Sequence, residues 1–464
     1  RFPMADNELI VGEPRLGWLI DGNPETPEAA VMLRDTGSVI ELRIPLQGML
    51  REDGPYARWW SSLTMHADDP EQTKYSYTPP RVMLFHDDCG VVALVGCRAG
   101  GTRQTLDAGY GVIVANYAVL GGRSLKYDKI NGMRSDLPAM ASWTGITSLI
   151  VKANNDAEGL LESVQVELKR LSPVSISRTL NLAIHPLWEA RQPHAAFSAR
   201  ERIMLGTMVK DARSWEDHLM VHGAVWDLVS IAAWRPFIVT RLEVCRGDDL
   251  VKTSRGTTER WSQVVTHRLP QYSDDDSRKI SFLFWYDNIG ARGVKHWLRL
   301  REEYTDAFVP FLSILRSDEP WSDANVVQIG IVLEKLGYLI DIKKNEGAHL
   351  NDQDQLSFMK ALQVILDDMP MTPFVGDDES ENEVHENELV DDTSDAWKRN
   401  IRAAYMGLKH ADRTMPDSLD LINALRKSIL VVRFWVAHQL GVHNNVLKKG
   451  RKHDPLSKPF VGID

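Results

Sequence analysis

Apolar and polar side chains alternate along the first part of this chain and recur at helical spacing along the last. In SVIELRI, Val39, Glu41 and Arg43 fall on one face and Ile40, Leu42 and Ile44 on the other, the period of a half-buried strand. A DTG turn at residues 35–37 joins this run to AAVMLR, which predicts a hairpin. A second hairpin is predicted from RVMLFH, the turn DDCG and VVALVGC, and GVIVANYAV adds a buried strand over residues 111–119. Asp87 and Asp88 are expected to shape their turn rather than to act as acids. Residues 5–165 therefore read as a mostly β domain, with residues 1–4, which open on Arg1 and read as an incomplete start, set aside.

Residues 166–289 read as a mixed α/β continuation of this N-terminal region. VQVELKRL and RTLNLAIHPLW suggest strands, SWEDHLMVHGAVWDLVSIAAW a helix, and FIVTRLEVC and ISFLFWY further strands. His218 and His222 sit four residues apart on that helix, a spacing that suits a metal, but no third ligand accompanies them. They are expected to be surface or capping histidines. From residue 290 to 464 the pattern is helical. Trp297, Leu300, Tyr304, Phe308, Phe311 and Leu315 form one stripe with a kink or break expected at Pro310; Ile329, Leu333, Leu336 and Ile340 form a second, and Phe358, Leu362, Ile365 and Met369 a third. With two more helices at the end, this predicts an antiparallel bundle of about five. The fold class is α+β and multidomain.

The stretch from residue 397 to 438 holds the most suggestive chemistry. Ile401, Ala404, Leu408 and Ala411 make an apolar helix stripe beside a second one of Lys398, Arg402, Tyr405 and Lys409. His410 lies ~80° around the helix from Arg402, provided the helix runs past Gly407. Thr414 and Asp417 suggest a capping box with Pro416 in the first turn, opening a long helix through Leu419, Ile422, Leu425, Ile429, Val432, Val436 and Leu440.

This helix, His-bearing loop and long helix resemble the HEPN ribonuclease domain, and the whole chain resembles the ApeA group of bacterial anti-phage HEPN proteins. GWLIDG and SWTGITSL are similar to the ApeA N-terminal domain, SWEDHLMVHGAVWDLVSIAAWRPFIVTRLEV to a helix-to-strand stretch of that family, and VVQIGIVLEKLGYL to the HEPN helix that carries a Glu, here Glu334. The resemblance implies a metal-independent endoribonuclease without cofactor, in which His410 is the acid/base and Arg402 holds the phosphate. Arg399 and Lys409 would add attraction, Asn400 would orient, and Tyr405 would stack a base or hydrogen-bond. It also implies RNA as substrate, pairing of motif helices in a homodimer or higher homo-oligomer, a phage-derived trigger, and abortive infection as outcome. Seven residues separate Arg402 from His410 and ten separate Arg399 from it, longer than the family spacing. Arg433 and His438 in RFWVAH match that spacing but fall mid-helix among apolar neighbours, so they read as structural. KNEGAH, ending at His349, mimics the motif with Lys for Arg and lies in a loop. A catalytically inactive scaffold that binds RNA or protein is the alternative, and a carbohydrate- or peptide-binding β protein with a helical oligomerisation domain is a third.

Composition changes this picture in three places. Three cysteines, Cys89, Cys97 and Cys245, are too few and too scattered for a disulfide framework or zinc site, which suits a reducing cytoplasm. The longest apolar run, SILVVRFWVAHQL, is interrupted by Arg433 and His438 and falls short of the ~18 residues of a membrane span, and no signal peptide is recognised. Neither G-x-x-x-x-G-K-S/T nor a strand-to-helix G-x-G-x-x-G occurs.

The formal charge of −10 conceals a polarity: residues 376–395 hold ten acids and no Lys or Arg, whereas residues 396–464 hold thirteen Lys/Arg against five Asp/Glu. The acidic loop is expected to compete with RNA phosphate for the basic end. Replacing its acids with Ser and Gly at constant length should tighten RNA binding at low salt, with the gain shrinking as ionic strength rises past ~0.15 M. Equal affinities of the two proteins at low salt would reduce the loop to a tether.

Overall fold

Alternation translates directly into strands. In the computed structural model, which describes residues 7–24, 29–47, 56–60, 79–105, 108–192, 196–253, 256–270, 280–374 and 393–461, the first meander is β1 (Pro14–Ile20), β2 (Ala30–Asp35) and β3 (Ile40–Gln47). The second predicted hairpin is β4 (Val82–Asp87) and β5 (Gly90–Val95), with Asp87 Oδ1 accepting from the backbone N–H groups of Cys89 and Gly90, as its turn role requires. β6 (Arg98–Gln104) and β7 (Ala108–Ala115) follow, then β8 (Tyr117–Leu120) and β9 (Lys129–Asp136). After a short helix α1 (Ala139–Thr144) come the separate hairpin β10 (Leu149–Asn155) and β11 (Leu161–Leu168), then β12 (Val174–Ser177), β13 (Leu182–Arg191) and β14 (Ser198–Ser214). Helix α2 (Trp215–Ala233) leads to β15 (Arg241–Cys245), the small hairpin β16 (Leu250–Thr253) and β17 (Gly256–Glu259), and β18 (Ser262–Val265).

Fourteen of these strands form one antiparallel sheet in the order β12-β13-β14-β9-β15-β18-β8-β5-β4-β1-β2-β3-β7-β6. The sheet crosses the boundary expected at residue 165, because β9 pairs with β14 on one side and β15 on the other. The mixed middle region is therefore an extension of the N-terminal sheet. Its far end shares a core with the helices: Leu182, Ile184 and Leu205 of the sheet and Leu228 of α2 are fully buried in one cluster with Trp297, Leu333 and Val431.

The helical part comprises α3 (Tyr286–Glu303), α4 (Thr305–Leu315), α5 (Asp323–Lys344), α6 (Phe358–Asp367), α7 (Ser394–Lys409), α8 (Ser418–Gln439) and α9 (Asn444–His453), seven helices among the described residues against the five expected. The first stripe splits at Tyr304 rather than at Pro310, which sits inside α4 with its carbonyl accepting from Gln328 Nε2. ISFLFWY is not a strand. Phe282, Leu283 and Phe284 are all buried, so no face alternates, and the segment plugs the gap between α2 and α9 through Leu283 N–H to Ala232 O and Ser281 Oγ to His453 O. Gly450 admits this plug, since a Cβ there would lie 2.2 Å from the Leu283 oxygen.

His218 and His222 are fully buried, contrary to a surface or capping role, because α2 is covered by the sheet on one side and by helices on the other. A directed chain of hydrogen bonds engages three of their four ring nitrogens, leaving His218 Nε2 without one among the described residues: Trp226 Nε1 donates to Ser135 Oγ (3.1 Å), which faces His222 Nδ1 (2.7 Å), while Thr207 Oγ1 lies 3.1 Å from His222 Nε2 and 2.7 Å from His218 Nδ1. With Ser135 donating to Nδ1, His222 carries its proton on Nε2 and donates to Thr207, whose hydroxyl then donates to His218. Burial, with His218 and His185 close by, pushes the His222 pKa down to about 3, and burial with Arg134 nearby pushes His185 down to about 4. The unfolded chain binds protons at these sites before the folded chain does, so stability is full above the ordinary value of 6.5 and declines as pH falls from there towards about 3. The melting temperature should drop over that window, with His222 alone contributing up to ~1.4 kcal/mol per pH unit, and His222→Gln should flatten the slope. Identical slopes in the two proteins would exclude the buried histidines as the acid-labile element.

Candidate functional site

Helix α7 starts from a Thr393 cap, whose side chain accepts the Ala396 N–H at 3.2 Å. Trp397, Ile401 and Ala404 form its buried stripe, while Arg399, Asn400, Arg402, Lys409 and His410 are exposed. The helix continues through Gly407, the condition for Arg402 and His410 to share a side of it. Gly407 serves a different purpose: a Cβ there would lie 3.0 Å from Thr414 O and 3.1 Å from Met415 Cα, so its lack of a side chain lets the following loop fold back on the helix. Because the Thr414–Met415 backbone lies there, the next cap falls to Asp417, which accepts from Asp420 N at 2.8 Å, and α8 begins after Pro416 rather than with it.

His410 caps α7 in an extended conformation, its N–H still bonded to Met406 O at 3.0 Å. A turn then brings Arg413 N to His410 O at 3.1 Å. Arg413 is thus a further exposed cation beside His410. The motif pattern offered no signal for it, because it follows the histidine, although the D-R-T-M-P loop composition marked a turn. Arg402 and His410 are eight residues apart, a rise of ~12 Å along the axis, and Arg399 is farther still. Neither Arg399 nor Arg402 makes an ion pair among the described residues, whereas Lys398 is held by Gln363 Oε1 (2.8 Å) and Asp395 (2.7 Å).

Tyr405 is not free to stack a base. It is 1% exposed, and its ring lies on Gly330 of α5, where a Cβ would come within 2.4 Å of Tyr405 Cδ2. Its hydroxyl donates to Glu334 Oε2 at 3.0 Å and accepts from Lys409 Nζ at 3.2 Å, with that ammonium 4.9 Å from the ring centroid. Burial pushes the Tyr405 hydroxyl above its ordinary range, against the opposing pull of the Lys409 hydrogen bond, and the same bond raises Lys409. Glu334, an isolated acid on an apolar helix that the family resemblance had singled out, is the anchor of this chain. The three residues fix the end of α7 on α5 and keep a positive charge beside His410.

The two competing motifs are structural. Arg433 is wholly buried: Nε donates to Ile231 O (2.7 Å), Nη2 to Ala232 O (2.8 Å) and Nη1 to Asp454 Oδ1 (2.8 Å), closing the C-terminal carbonyls of α2. His438 Nε2 meets Met371 O at 2.9 Å, and burial lowers its pKa. In KNEGAH, Lys344 pairs with Asp368 at 2.7 Å and His349 Nδ1 with the buried Asp341 at 2.6 Å. No group of three or more His, Cys, Asp or Glu among the described residues is arranged to hold a metal ion, and no helix among them is long and apolar enough to cross a membrane. Most of the acidic stretch expected to shield this surface, residues 375–392, lies outside the described residues.

A large antiparallel sheet joined through one buried helix to a helical region defines an α+β protein of two linked parts. The chain belongs to the ApeA N-terminal domain 1 family, which it matches over residues 15–299, covering the sheet, α2 and most of α3. That family is linked to anti-phage defence. No curated protein and no solved structure matches the chain.

Arg433→Met should lower stability by ~3–5 kcal/mol, since it leaves Asp454 buried and unpaired and two helix carbonyls open. Denaturant titration measures this, and adding Asp454→Asn should recover part of the loss. A folded Arg433→Met protein of unchanged midpoint would mean that the pair had been misread as structural.

Proposed function

We propose that this chain acts in anti-phage defence as an HEPN-type endoribonuclease that cleaves RNA without a metal, with His410 as its acid/base and the exposed cations of α7 as its phosphate-holding groups. One observation carries the reading: in a chain of a defence-linked family, an exposed histidine caps a helix beside Lys409 and Arg413, with Arg402 exposed farther along the same helix, ahead of a long packed helix.

In the reaction, the 2′-hydroxyl loses its proton as its oxygen bonds to the adjacent phosphorus, and the bond to the 5′ oxygen breaks as that oxygen gains a proton. The products are a 2′,3′-cyclic phosphate and a 5′-hydroxyl. Imidazole can take either proton role near neutral pH, and guanidinium charge stabilises the crowded phosphorane. Lys409 is preorganised for the second task by Tyr405 and Glu334. Arg402, ~12 Å along the helix from His410, meets the same phosphodiester most directly when the two come from different subunits. The reading therefore includes a homodimer pairing α7 across a two-fold axis.

The same separation favours a second reading, a scaffold that binds RNA or protein through this surface without cleaving it. His410→Ala separates them. The variant should fold normally, because the side chain is exposed, and should lose cleavage by a factor of ~10²–10⁴, while cleavage by the parent protein persists in excess EDTA. RNA bound but uncut by the parent protein supports the scaffold. Cleavage by folded His410→Ala removes the site assignment, and activity restored only by Mg2+ or Zn2+ removes the metal-free mechanism.

A further inference from the structure

Helix α3 carries a basic stripe that the candidate nuclease surface does not use. Arg292, Lys295, His296 and Arg299 occupy i, i+3, i+4 and i+7, one face of the helix. They line an open cavity of about 720 Å³ whose floor is the end of α8, Gln439 to Gly441, and no Asp or Glu lines it. Gly293 makes the floor: α3 approaches α8 so closely that a Cβ there would lie 3.2 Å from Leu440 O.

The cations of this cavity outnumber the one acid among the described residues that acts on it, Glu303, which opposes Arg299 and Lys344 at His296. Arg292, Lys295 and Arg299 make no ion pair among the described residues, while Lys344, the nearest cation on α5 to affect His296, is occupied by Asp368 and Gln439. The carbonyls of His438 and Ala437 are closed by the helix's own ending, with Gly441 N bonded to His438 O (2.9 Å) and Val442 N to Ala437 O (3.0 Å), while the Gln439 carbonyl at the cavity floor is met by His296. Burial, with Arg299 and Lys344 close by, holds the half-buried His296 below the usual histidine value against the opposing pull of Glu303 and the Gln439 backbone.

Three exposed cations around a concavity of this size fit a phosphate-bearing ligand of nucleotide dimensions, since guanidinium forks match phosphate oxygens and pockets for such ligands span ~300–1,000 Å³. The cavity is also remote from His410. The His410 loop enters α8 at its first turn and the cavity lies at its last, ~33 Å away along a helix of this length. We propose that the α3–α8 cavity is a second anion site that binds nucleotide phosphate, either of a free nucleotide or of a nucleotide in a single strand. It lies where the family match ends, at Arg299, and on the opposite face of α3 Trp297 Nε1 donates to Ala224 O of α2 at 2.6 Å. A ligand there contacts the junction of the sheet-bearing and helical parts.

The test uses the full chain in EDTA, with ATP and a 5′-phosphorylated single-stranded DNA ten-mer, which lacks the 2′-hydroxyl, as separate probes in calorimetry. One site per chain is expected, weakening with salt. Arg292→Ala/Arg299→Ala should lose affinity by about tenfold or more at low salt with an unchanged melting temperature, and Arg292→Lys/Arg299→Lys should retain part of it. ATP binding more tightly than the ten-mer identifies the free nucleotide, and the reverse identifies the strand. Should the double alanine variant fail to fold, Lys295→Glu, at an exposed position, replaces it with the same expectation. Absence of binding of both probes to the parent protein at millimolar concentration, or unchanged affinity in the folded charge-removing variants, overturns the proposal. Cleavage is read in none of these arms, so the result is independent of whether His410 is catalytic.

Discussion

The guanidinium of Arg433 joins the two parts of this protein. A helix that ends inside a protein leaves carbonyls that water cannot reach, and α2 ends among buried residues. Arg433 reaches from α8 to two of those carbonyls while its remaining fork pairs with Asp454 just after α9, so three segments distant in sequence meet on one side chain. A buried ion pair is expensive to desolvate and repays the cost only when its other hydrogen-bonding groups are satisfied. Here Nε and both terminal nitrogens have acceptors and Asp454 Oδ1 also accepts from Leu456 N at 2.9 Å, while Oδ2 is left, among the described residues, with only its 2.8 Å ion contact to Nη2. The common core of sheet and helices is consistent with this clamp.

Much of the architecture was legible in period and turn chemistry. The hairpins at β2–β3 and β4–β5, the helix α2 and the progression from strands to helices all follow from residues close in sequence. What escaped depends on distant partners. β9 and β14 carry glycines and charged residues that obscure their alternation, and only pairing with each other makes them central strands. The strand-like ISFLFWY is apolar throughout because it is enclosed on all sides, a state that periodicity cannot tell from a strand. The boundary near residue 165 had a compositional basis, but the exposed hairpin β10–β11 that creates it is an excursion from a sheet that resumes afterwards.

At the candidate site, sequence located the helix, the loop and the exposed residues, and its expectation that Arg433 and His438 are packed rested on their place among consecutive apolar residues; both have bonds inside the protein. It misjudged Tyr405. A tyrosine on the border between an apolar and a cationic stripe reads equally well as base-stacking or as core, and what decided it was Gly330 on another helix, whose missing side chain makes room for the ring. Glu334 was visible only through resemblance, since its partner lies seventy-one residues further along the chain.

Strand β14 runs into α2 with no intervening loop. Ser214 pairs with Lys129 as the last residue of the strand and, in the same position, caps the helix in a reciprocal box with Asp217. Most strand-to-helix junctions include a few residues that absorb small displacements. This one has none, and the far end of the same helix is gripped by Arg433. Helix α2 is therefore a connecting rod pinned at both ends, and the slack between sheet and rod lies one step back, where the register of β14 against β9 shifts between Met208 and Arg213.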